Sequence, residues 1–452
     1  MVLKISTILE KARHVKNSCA PINNIPPETL ALVGTFLAKE RDLINATAVC
    51  RHWRTILLSF PRLWCNPGGS LSELEAYLER SKSIPIEVNL SHPQLVASII
   101  PHTSRLVALA VDVDDLPGFD EVLEHLRDPI PTLRSLEVLT RNPYLDTLEL
   151  PSGLHHGLFM HLKKFSLSGI SSFRGSQAFP HITELSVCTN LDSLQPEDLL
   201  RALGRLPGLE KVHVLFQSVR CHEIHQADVV TLPCVREMCL TTSDVPAPPW
   251  PVEPKVVPPI LLYLKLPKVT SLTVQLPPTL LPVRFILPIT SFTEHLPNYI
   301  DLPELRVETT ASSAKLTFRS SSQAVFTCHT RALHEFQQEY QLWGGLPLSS
   351  VRRVAAVLED PILGDEDKWL ADLLRELGSL ELLELGGDCG WVLRRFRRRI
   401  ARGAMWVRIG TLIVRGGEYV RDQALKLENV KDELGLGDMT MTYVPDPESQ
   451  GV

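Results

Sequence analysis

The residues with the greatest capacity for chemistry lie between positions 221 and 239. The segment Cys221–His225 reads Cys-His-Glu-Ile-His, and Cys234 and Cys239 follow it. Thiolates and imidazoles bind zinc, but structural zinc modules pair their ligands at short, regular spacing on both sides, and this arrangement does not take that form. Single cysteines commonly serve as small buried apolar residues. The sequence therefore predicts no metal site.

Sequence motifs of the common enzyme classes do not occur in the chain. It has no Gly-x-Ser-x-Gly elbow, no Gly-x-x-x-x-Gly-Lys phosphate loop and no dinucleotide-binding glycine fingerprint. The glycine pairs at 344–345, 386–387 and 416–417 lack the strand-to-helix context that aims backbone donors at a phosphate. Carboxylates are plentiful, but acid–base catalysis needs two of them in one cleft. We expect a non-enzymatic protein with no catalytic residue and no cofactor.

A basic run occupies residues 394–408. Leu393, Phe396 and Ile400 are spaced to share one face of a helix, which leaves the arginines on the outside. Two interpretations stay open. The run is either the solvated face of a helix, or a nuclear-import or phosphate-binding patch whose nucleic-acid binding would fall steeply with salt. Its members are Arg394, Arg395, Arg397, Arg398, Arg399, Arg402 and Arg408.

Three short helices are predicted between residues 22 and 64. Pro26 and Pro27 suit the first turn of a helix, where a missing N–H costs nothing, and Pro61 ends the third helix. Helices this short are marginal alone and must pack together or against a partner. Spaced elements run through the module in this order: Ile25-Pro26-x-Glu28, Phe36-Leu37, Asp42-Leu43, Val49-Cys50-x-x-Trp53 and Pro61-x-Leu63-Trp64.

These elements resemble an F-box, the helical motif that docks a substrate receptor onto the Skp-type adaptor of a cullin-based SCF ubiquitin ligase. Two departures are small: Ile25 replaces the usual leucine, and His52 stands where arginine is common. The resemblance implies a substrate receptor that carries no catalytic residue of its own. Such a receptor acts by proximity, because tethering raises the effective concentration of target lysines near the charged conjugating enzyme.

The resemblance also implies a role for individual residues. We expect the adaptor to contact the apolar groups Pro26, Leu43, Val49 and Cys50, whereas Glu28 serves the positive end of the first helix. Other apolar residues of the matched elements are expected to form the core of the module: Ile25, Leu30, Phe36, Trp53 and Trp64.

A short phrase, apolar-x-x-apolar-x-apolar, recurs after this module. Its central positions step by 20 to 34 residues from Leu109 to Leu272, mostly in or near the ~20–29-residue period of leucine-rich repeats. Helical segments precede several of the strands, and helix–strand units stack into a curved solenoid with parallel strands. The central positions are Leu109, Leu136, Phe165, Leu185, Val212, Met238 and Leu272, and later Leu383 and Leu412.

The repeat pattern is degenerate. The asparagine that usually follows the phrase is present only at Asn190, and between 277 and 350 the pattern thins, so repeat number and register stay open there. An F-box followed by such an array resembles the F-box proteins of fungi. The expected fold is α/β: a short three-helix F-box followed by an irregular leucine-rich-repeat-like solenoid. A generic α/β domain whose strands share a phrase is the alternative.

Four segments are expected along the chain: an N-terminal segment at 1–21, the F-box at 22–66, the solenoid at 67–433 and a C-terminal tail at 434–452. A proline-rich insertion at 245–259 cannot hold a helix or a central strand, because proline lacks the N–H donor. It is either a rigid surface loop or an extended segment with Pro-x-x-Pro spacing that binds a partner.

Composition and charge narrow the class of protein. The 452 residues carry a formal net charge of −6, which argues against a whole-surface nucleic-acid binder. No apolar run approaches the ~18 residues of a membrane span, and Glu10 comes too early for a signal-peptide core. Nine cysteines without framework spacing suit a reducing compartment.

We therefore expect a cytoplasmic or nuclear SCF substrate receptor. Its partners would be a Skp-type adaptor, through the adaptor a cullin, and an unknown protein substrate; no membrane is involved. The alternative is a non-ligase repeat scaffold that binds nucleic acid or an acidic partner through the basic run 394–408.

Overall fold

The computed structural model divides the chain into two compact units, residues 1–145 with 153–167 and residues 146–152 with 168–452. The residues whose structure is described are 11–12, 15–16, 20–37, 40–67, 70–113, 116–125, 130–140, 148–149, 161–168, 170–172, 181–190, 196–218, 228–242, 260–275, 295–299, 301–309, 314–330, 348–358, 373, 377, 379–387, 389–401, 408–429 and 438–445.

Three short helices open the first unit: α1 (Pro27–Thr35), α2 (Glu40–Thr47) and α3 (Arg51–Ser59). Pro27 stands at the first helical position, where its fixed φ suits the helix and its missing N–H would be unpaired in any case. The third helix ends at Ser59 with Phe60 as its C-cap, and a 3₁₀ turn at Pro61–Trp64 follows. Prolines thus delimit this helical module, as the sequence predicts.

A parallel sheet completes the first unit. The remaining helices are α4 (Leu71–Arg80), α5 (Val96–Ile99) and α6 (Leu116–His125). The strands are β1 (Ile86–Leu90), β2 (Leu106–Val113), β3 (Ser135–Thr140) and β5 (Lys164–Ser168). They pair in parallel in the order β1-β2-β3-β5. A capping box between Ser70 and Glu73 begins α4.

The second unit holds a longer sheet. Its helices are α7 (Pro196–Gly204), α8 (Gly390–Ala401) and α9 (Glu418–Glu428). Its strands are β4 (Leu148–Glu149), β6 (Ile170–Ser172), β7 (Glu184–Asn190), β8 (Lys211–Ser218), β9 (Val230–Thr231), β10 (Glu237–Thr242), β11 (Leu264–Lys265), β12 (Ser271–Gln275), β13 (Glu304–Thr309), β14 (Ala314–Arg319), β15 (Val325–Thr330), β16 (Arg353–Leu358), β17 (Ser379–Gly387), β18 (Arg408–Gly416) and β19 (Thr440–Pro445). The main sheet runs β7-β8-β10-β12-β15-β14-β13-β16-β17-β18-β19, and β4–β6 and β9–β11 form separate parallel pairs.

The repeated phrase sets the register of these sheets. Its central positions are successive strand partners and are buried, because a side-chain period of two keeps one face of every strand in the core. In the first unit the partners are Leu109, Leu136 and Phe165. In the second they are Leu185, Val212, Met238 and Leu272, and further along Leu383 and Leu412.

The region where the pattern thins departs from a parallel array. Strands β13, β14 and β15 form an antiparallel meander, and β12 and β16 flank it in parallel. Only residues 310–313 and 320–324 connect the three strands. A parallel crossover needs a dozen or more residues, so connections this short require antiparallel pairing.

The expected C-terminal tail, 434–452, needs a correction. Strand β19 lies within it and pairs in parallel with β18. Half of its side chains are well exposed, because an edge strand packs against one neighbouring strand only. The apolar pattern that would predict a strand from the sequence is therefore weak here. The proline-rich insertion at 245–259 lies outside the described residues.

Candidate functional site

Helix α1 is apolar on two faces. Leu30, Ala31 and Gly34 are buried, and a Cβ at Gly34 would come within about 3.1 Å of side-chain atoms of Leu57 and Leu63. A larger residue at position 34 would therefore require these leucine side chains to shift by a few tenths of an ångström. The close approach shows that this face of α1 is packed.

The opposite face of α1 is uncovered. Leu32, Val33 and Phe36 are exposed, and Phe36 reaches 77% of its free accessibility. Positions three and four apart share one side of a helix, so these side chains form one apolar surface. A helix with apolar residues on both sides is expected to pack against protein on both sides.

Exposed apolar side chains are concentrated in this module. Among the described residues, eleven large apolar side chains are well exposed, and five of them lie between positions 22 and 49. A concentration of exposed apolar side chains is typical of protein–protein interaction sites. The five are Ile22, Leu32, Val33, Phe36 and Val49.

The expected contact residue Leu43 is not accessible. Its side chain is only 5% exposed and packs with Ala46, Leu57, Trp64 and Tyr77 in one apolar cluster. Leu43 lies on the side of α2 that faces α3, so its assignment as a docking residue is corrected to a core residue. The other expected contacts differ: Pro26 and Val49 are exposed, and Cys50 is half-buried.

The residues expected in the core differ in how deeply they are buried. Leu30 and Trp64 are buried, whereas Ile25 and Trp53 are half-buried. Phe36 is the exception, because it follows the last turn of α1 and points away from the cluster that contains Trp64. Its assignment to the core is corrected to an exposed position.

Trp64 closes the core of the module. Its indole N–H donates a hydrogen bond to the carbonyl oxygen of Leu57 at 3.0 Å. The ring meets Tyr77 edge-on, with centroids 4.8 Å apart. Tyr77 belongs to α4, so the helical module shares its core with the helix that leads to the sheet.

Backbone bonds attach the module to the first strand. The N–H groups of Glu87 and Asn89 donate to the carbonyl oxygens of Cys65 and Pro67, at 2.9 and 3.3 Å. This pairing covers the outer edge of β1, which would otherwise present unpaired donors. Burial raises the pKa of the Cys65 thiol, although Arg105 and Arg62 act to lower it.

Arg105 provides a second attachment. Its guanidinium donates to the hydroxyl of Ser81 at 2.7 Å and to the carbonyl oxygens of Leu78 and Ile84 at 2.6 and 3.3 Å. The carbonyl oxygen of Leu78 in the last turn of α4 therefore receives a cation, which also suits the negative end of the helix. Arg105 precedes β2, so this contact ties α4 to the sheet.

Sequence reasoning missed the exposed face of α1 and the attachment through Arg105. The exposed face of α1 could have been predicted from the sequence, because apolar residues occupy two sides of that helix. The attachment through Arg105 could not, since its acceptors, the carbonyl oxygens of Leu78 and Ile84 and the hydroxyl of Ser81, lie more than 20 residues away and follow no motif.

The other two candidate sites are the cysteine- and histidine-containing segment 221–239 and the basic run 394–408. Residues 221–227 lie outside the described part of the chain, and Cys234 and Cys239 are half-buried free thiols. In α8, Arg394 and Arg398 are exposed, and the Arg394 guanidinium lies 5.6 Å from the ring centroid of Tyr419. None of the helices in the described part of the chain combines the length and apolar character that a membrane crossing needs.

Comparison with known families identifies the helical module. Residues 22–68 match the F-box-like family. They form an F-box-like domain. The expected boundaries, 22–66, begin at the same residue and end two residues earlier. Comparison with curated proteins found no match for the chain. F-box proteins are typically non-catalytic adaptors.

Proposed function

We propose that this protein is the substrate-receptor subunit of an SCF-type cullin ubiquitin ligase. One observation carries the proposal: the F-box-like domain packs its own core and still exposes apolar side chains on α1 and at Val49. A Skp-type adaptor would cover this surface and link the chain to a cullin. Other subunits would then transfer ubiquitin to the bound target.

The sheet region is proposed to capture the target. We interpret it as an irregular leucine-rich-repeat-like solenoid of the fungal F-box type, because the recurring phrase occupies equivalent register positions in successive parallel strands. Side chains on its outward face are accessible and charged: Lys211 pairs with Glu237 at 3.3 Å, and Arg415 pairs with Glu384 at 2.6 Å. Exposed pairs of this kind add little stability and are available to a protein partner.

Two matched pairs of substitutions test adaptor docking. Leu32→Asp in α1 is compared with Leu425→Asp in α9, since these leucines are 58% and 54% exposed. Val49→Asp is compared with Val229→Asp, at 62% and 46%. A carboxylate at a buried interface costs well over 1.4 kcal/mol, so the first member of each pair should lose at least about tenfold in affinity. The second members should bind like the unmodified chain.

The measurement is co-expression of the full chain with a Skp-type adaptor, size-exclusion chromatography and titration calorimetry of the purified proteins. A one-to-one complex that Leu32→Asp and Val49→Asp weaken would support the receptor function. Failure of the unmodified chain to bind, or equal binding by all four variants, would refute it. Leu43 is unsuitable for this test because its replacement would disrupt the core.

A second candidate function rests on helix α8. Arg397 and Arg398 form no ion pair with a carboxylate of the described residues, and Arg398 is exposed. A repeat scaffold could bind nucleic acid or an acidic partner through them. Titration of a generic DNA duplex against salt decides this: tight binding lost on replacing Arg397 and Arg398 by Gln favours the scaffold, and weak, salt-insensitive binding removes it.

A further inference from the structure

The side-chain amide of Asn23 joins the first turn of the F-box-like domain to helix α3. Asn23 lies in the 3₁₀ turn Pro21–Asn24, ahead of α1. Its Oδ1 accepts a hydrogen bond from the indole N–H of Trp53 in α3 at 2.9 Å. The thiol of Cys50 is directed at the same oxygen from 3.9 Å. Thirty residues of sequence thus separate the two partners of this contact.

The turn is short and exposed. It spans four residues, none of them buried, and no side chain of the described residues caps it at Ala20. Its backbone is closed by the N–H of Asn23, which donates to the carbonyl oxygen of Ala20 at 2.9 Å. Short 3₁₀ turns have poor hydrogen-bond geometry and low intrinsic stability. The indole N–H, in turn, can only donate and requires an acceptor where it is partly buried. The Asn23–Trp53 bond therefore satisfies Trp53 and fixes the position of the turn.

The fixed turn carries part of the exposed apolar surface. Ile22 precedes Asn23 and is exposed, and Pro26 follows it by three residues and is also exposed. On the other side of the contact, Val49 precedes Cys50 and is exposed. Ile22 and Val49, distant in sequence, therefore lie on segments that meet at the Asn23 amide.

We propose that Asn23 is a positioning residue for adaptor docking, which holds the turn bearing Ile22, and Pro26 just after it, against the segment bearing Val49. The inference rests on the proposed receptor function and adds a residue outside the docking contacts themselves. A rigid interface avoids the cost of ordering the turn on binding. Loss of the amide should weaken binding through this added cost, while the core around Trp64 stays intact.

Four variants of the full chain test the proposal. Asn23→Ala removes the acceptor, Asn23→Asp retains Oδ1, and Trp53→Phe removes the indole donor. Asn24→Ala is the matched control, because Asn24 is an exposed neighbour in the same turn. Affinity for a purified Skp-type adaptor is measured by titration calorimetry, with thermal unfolding recorded for each variant.

Asn23→Ala and Trp53→Phe should each weaken adaptor affinity about fivefold, the equivalent of one hydrogen bond. The double variant should lose no more than either single variant, since both remove the same bond. Asn23→Asp and Asn24→Ala should bind like the unmodified chain. If Asn23 has only a structural role, Asn23→Ala would lower the melting temperature, and adaptor affinity would not be lost in Asn23→Ala and retained in Asn23→Asp.

The outcomes separate this inference from the receptor function. Wild-type affinity in Asn23→Ala, an equal loss in Asn24→Ala, or additive losses in the double variant would overturn the role of Asn23 and leave the receptor function intact. An unmodified chain that does not bind the adaptor would overturn both.

Discussion

The guanidinium of Arg80 lies over the indole ring of Trp64, with its central carbon 4.5 Å from the ring centroid. Trp64 is the last residue of the 3₁₀ turn that follows α3, and Arg80 is the last residue of α4. Tyr77 contacts the same ring at its edge. The ring of Trp64, near the end of the F-box-like domain, therefore packs against two residues of α4, the helix that leads to the sheet.

Removal of Trp64 should be the most damaging single change in this module. Trp64→Ala deletes a fully buried ring and leaves a cavity, at an expected cost of ~3–5 kcal/mol in the free energy of unfolding. Arg80→Ala should cost about 1 kcal/mol through the lost cation–π contact. Urea denaturation measures both. Glu79→Ala, at an exposed neighbour, serves as control, and equal stability of Arg80→Ala and Glu79→Ala would show that the cation contributes nothing.

Arg105 should stabilise the junction between α4 and the sheet through its geometry as well as its charge. Arg105→Leu removes the guanidinium donor from the carbonyl oxygens of Leu78 and Ile84, although the Ser81 hydroxyl still donates to Leu78, and about 2 kcal/mol of stability should be lost. Arg105→Lys keeps the cation but not the planar fork, so it should recover only part of this loss. Full recovery by lysine in urea denaturation would contradict the geometric account.

The first unit should lose stability in mild acid because of His102. Burial, and then the cation of Arg105, lower the pKa of His102, whose Nδ1 lies 3.4 Å from the Arg105 guanidinium. The unfolded chain takes up this proton near pH 6.5, whereas the folded chain resists it. Below about pH 6.5 the unfolded state therefore binds more protons, and stability falls as the pH falls.

Urea denaturation between pH 7 and pH 5 measures this effect. His102→Gln removes the titrating group, so the variant should show a shallower decline than the unmodified chain. An identical decline in both proteins would assign the acid sensitivity to other groups.

The second unit should lose stability in alkali because of Tyr299. This buried side chain donates its hydroxyl hydrogen to the carbonyl oxygen of Val325 at 3.1 Å. Burial strongly raises its pKa, although a backbone hydrogen bond with Leu272 acts to lower it. Above about pH 10 the unfolded tyrosine ionises while the folded one does not, so stability falls as the pH rises.

Tyr299→Phe tests this assignment. The variant loses the hydrogen bonds of the hydroxyl with Val325 and Leu272, about 1 kcal/mol each at neutral pH, but should decline less steeply between pH 9.5 and pH 11. Thermal unfolding across this range measures the slope. A slope as steep as that of the unmodified chain would place the alkaline sensitivity elsewhere.

Sequence alone was sufficient for features that depend on neighbouring residues. Proline constrains its own φ and the residue before it, so Pro27 and Pro61 delimited the helices in advance. The phrase around Leu185, Val212 and Met238 predicted buried strand positions, because alternation places one set of side chains on one face. The F-box elements likewise predicted a module at 22–66 without any coordinates, and the F-box-like family matches 22–68.

Only the tertiary structure decided which apolar residues are covered. Leu43 and Phe36 are equally apolar in sequence, yet Leu43 packs beneath α3 and Phe36 is exposed beyond the end of α1. The hydrogen bond from Trp53 to Asn23 spans 30 residues and follows no motif. Burial and long-range hydrogen bonds depend on which distant segments come into contact. The type of a residue and its local spacing do not predict these contacts.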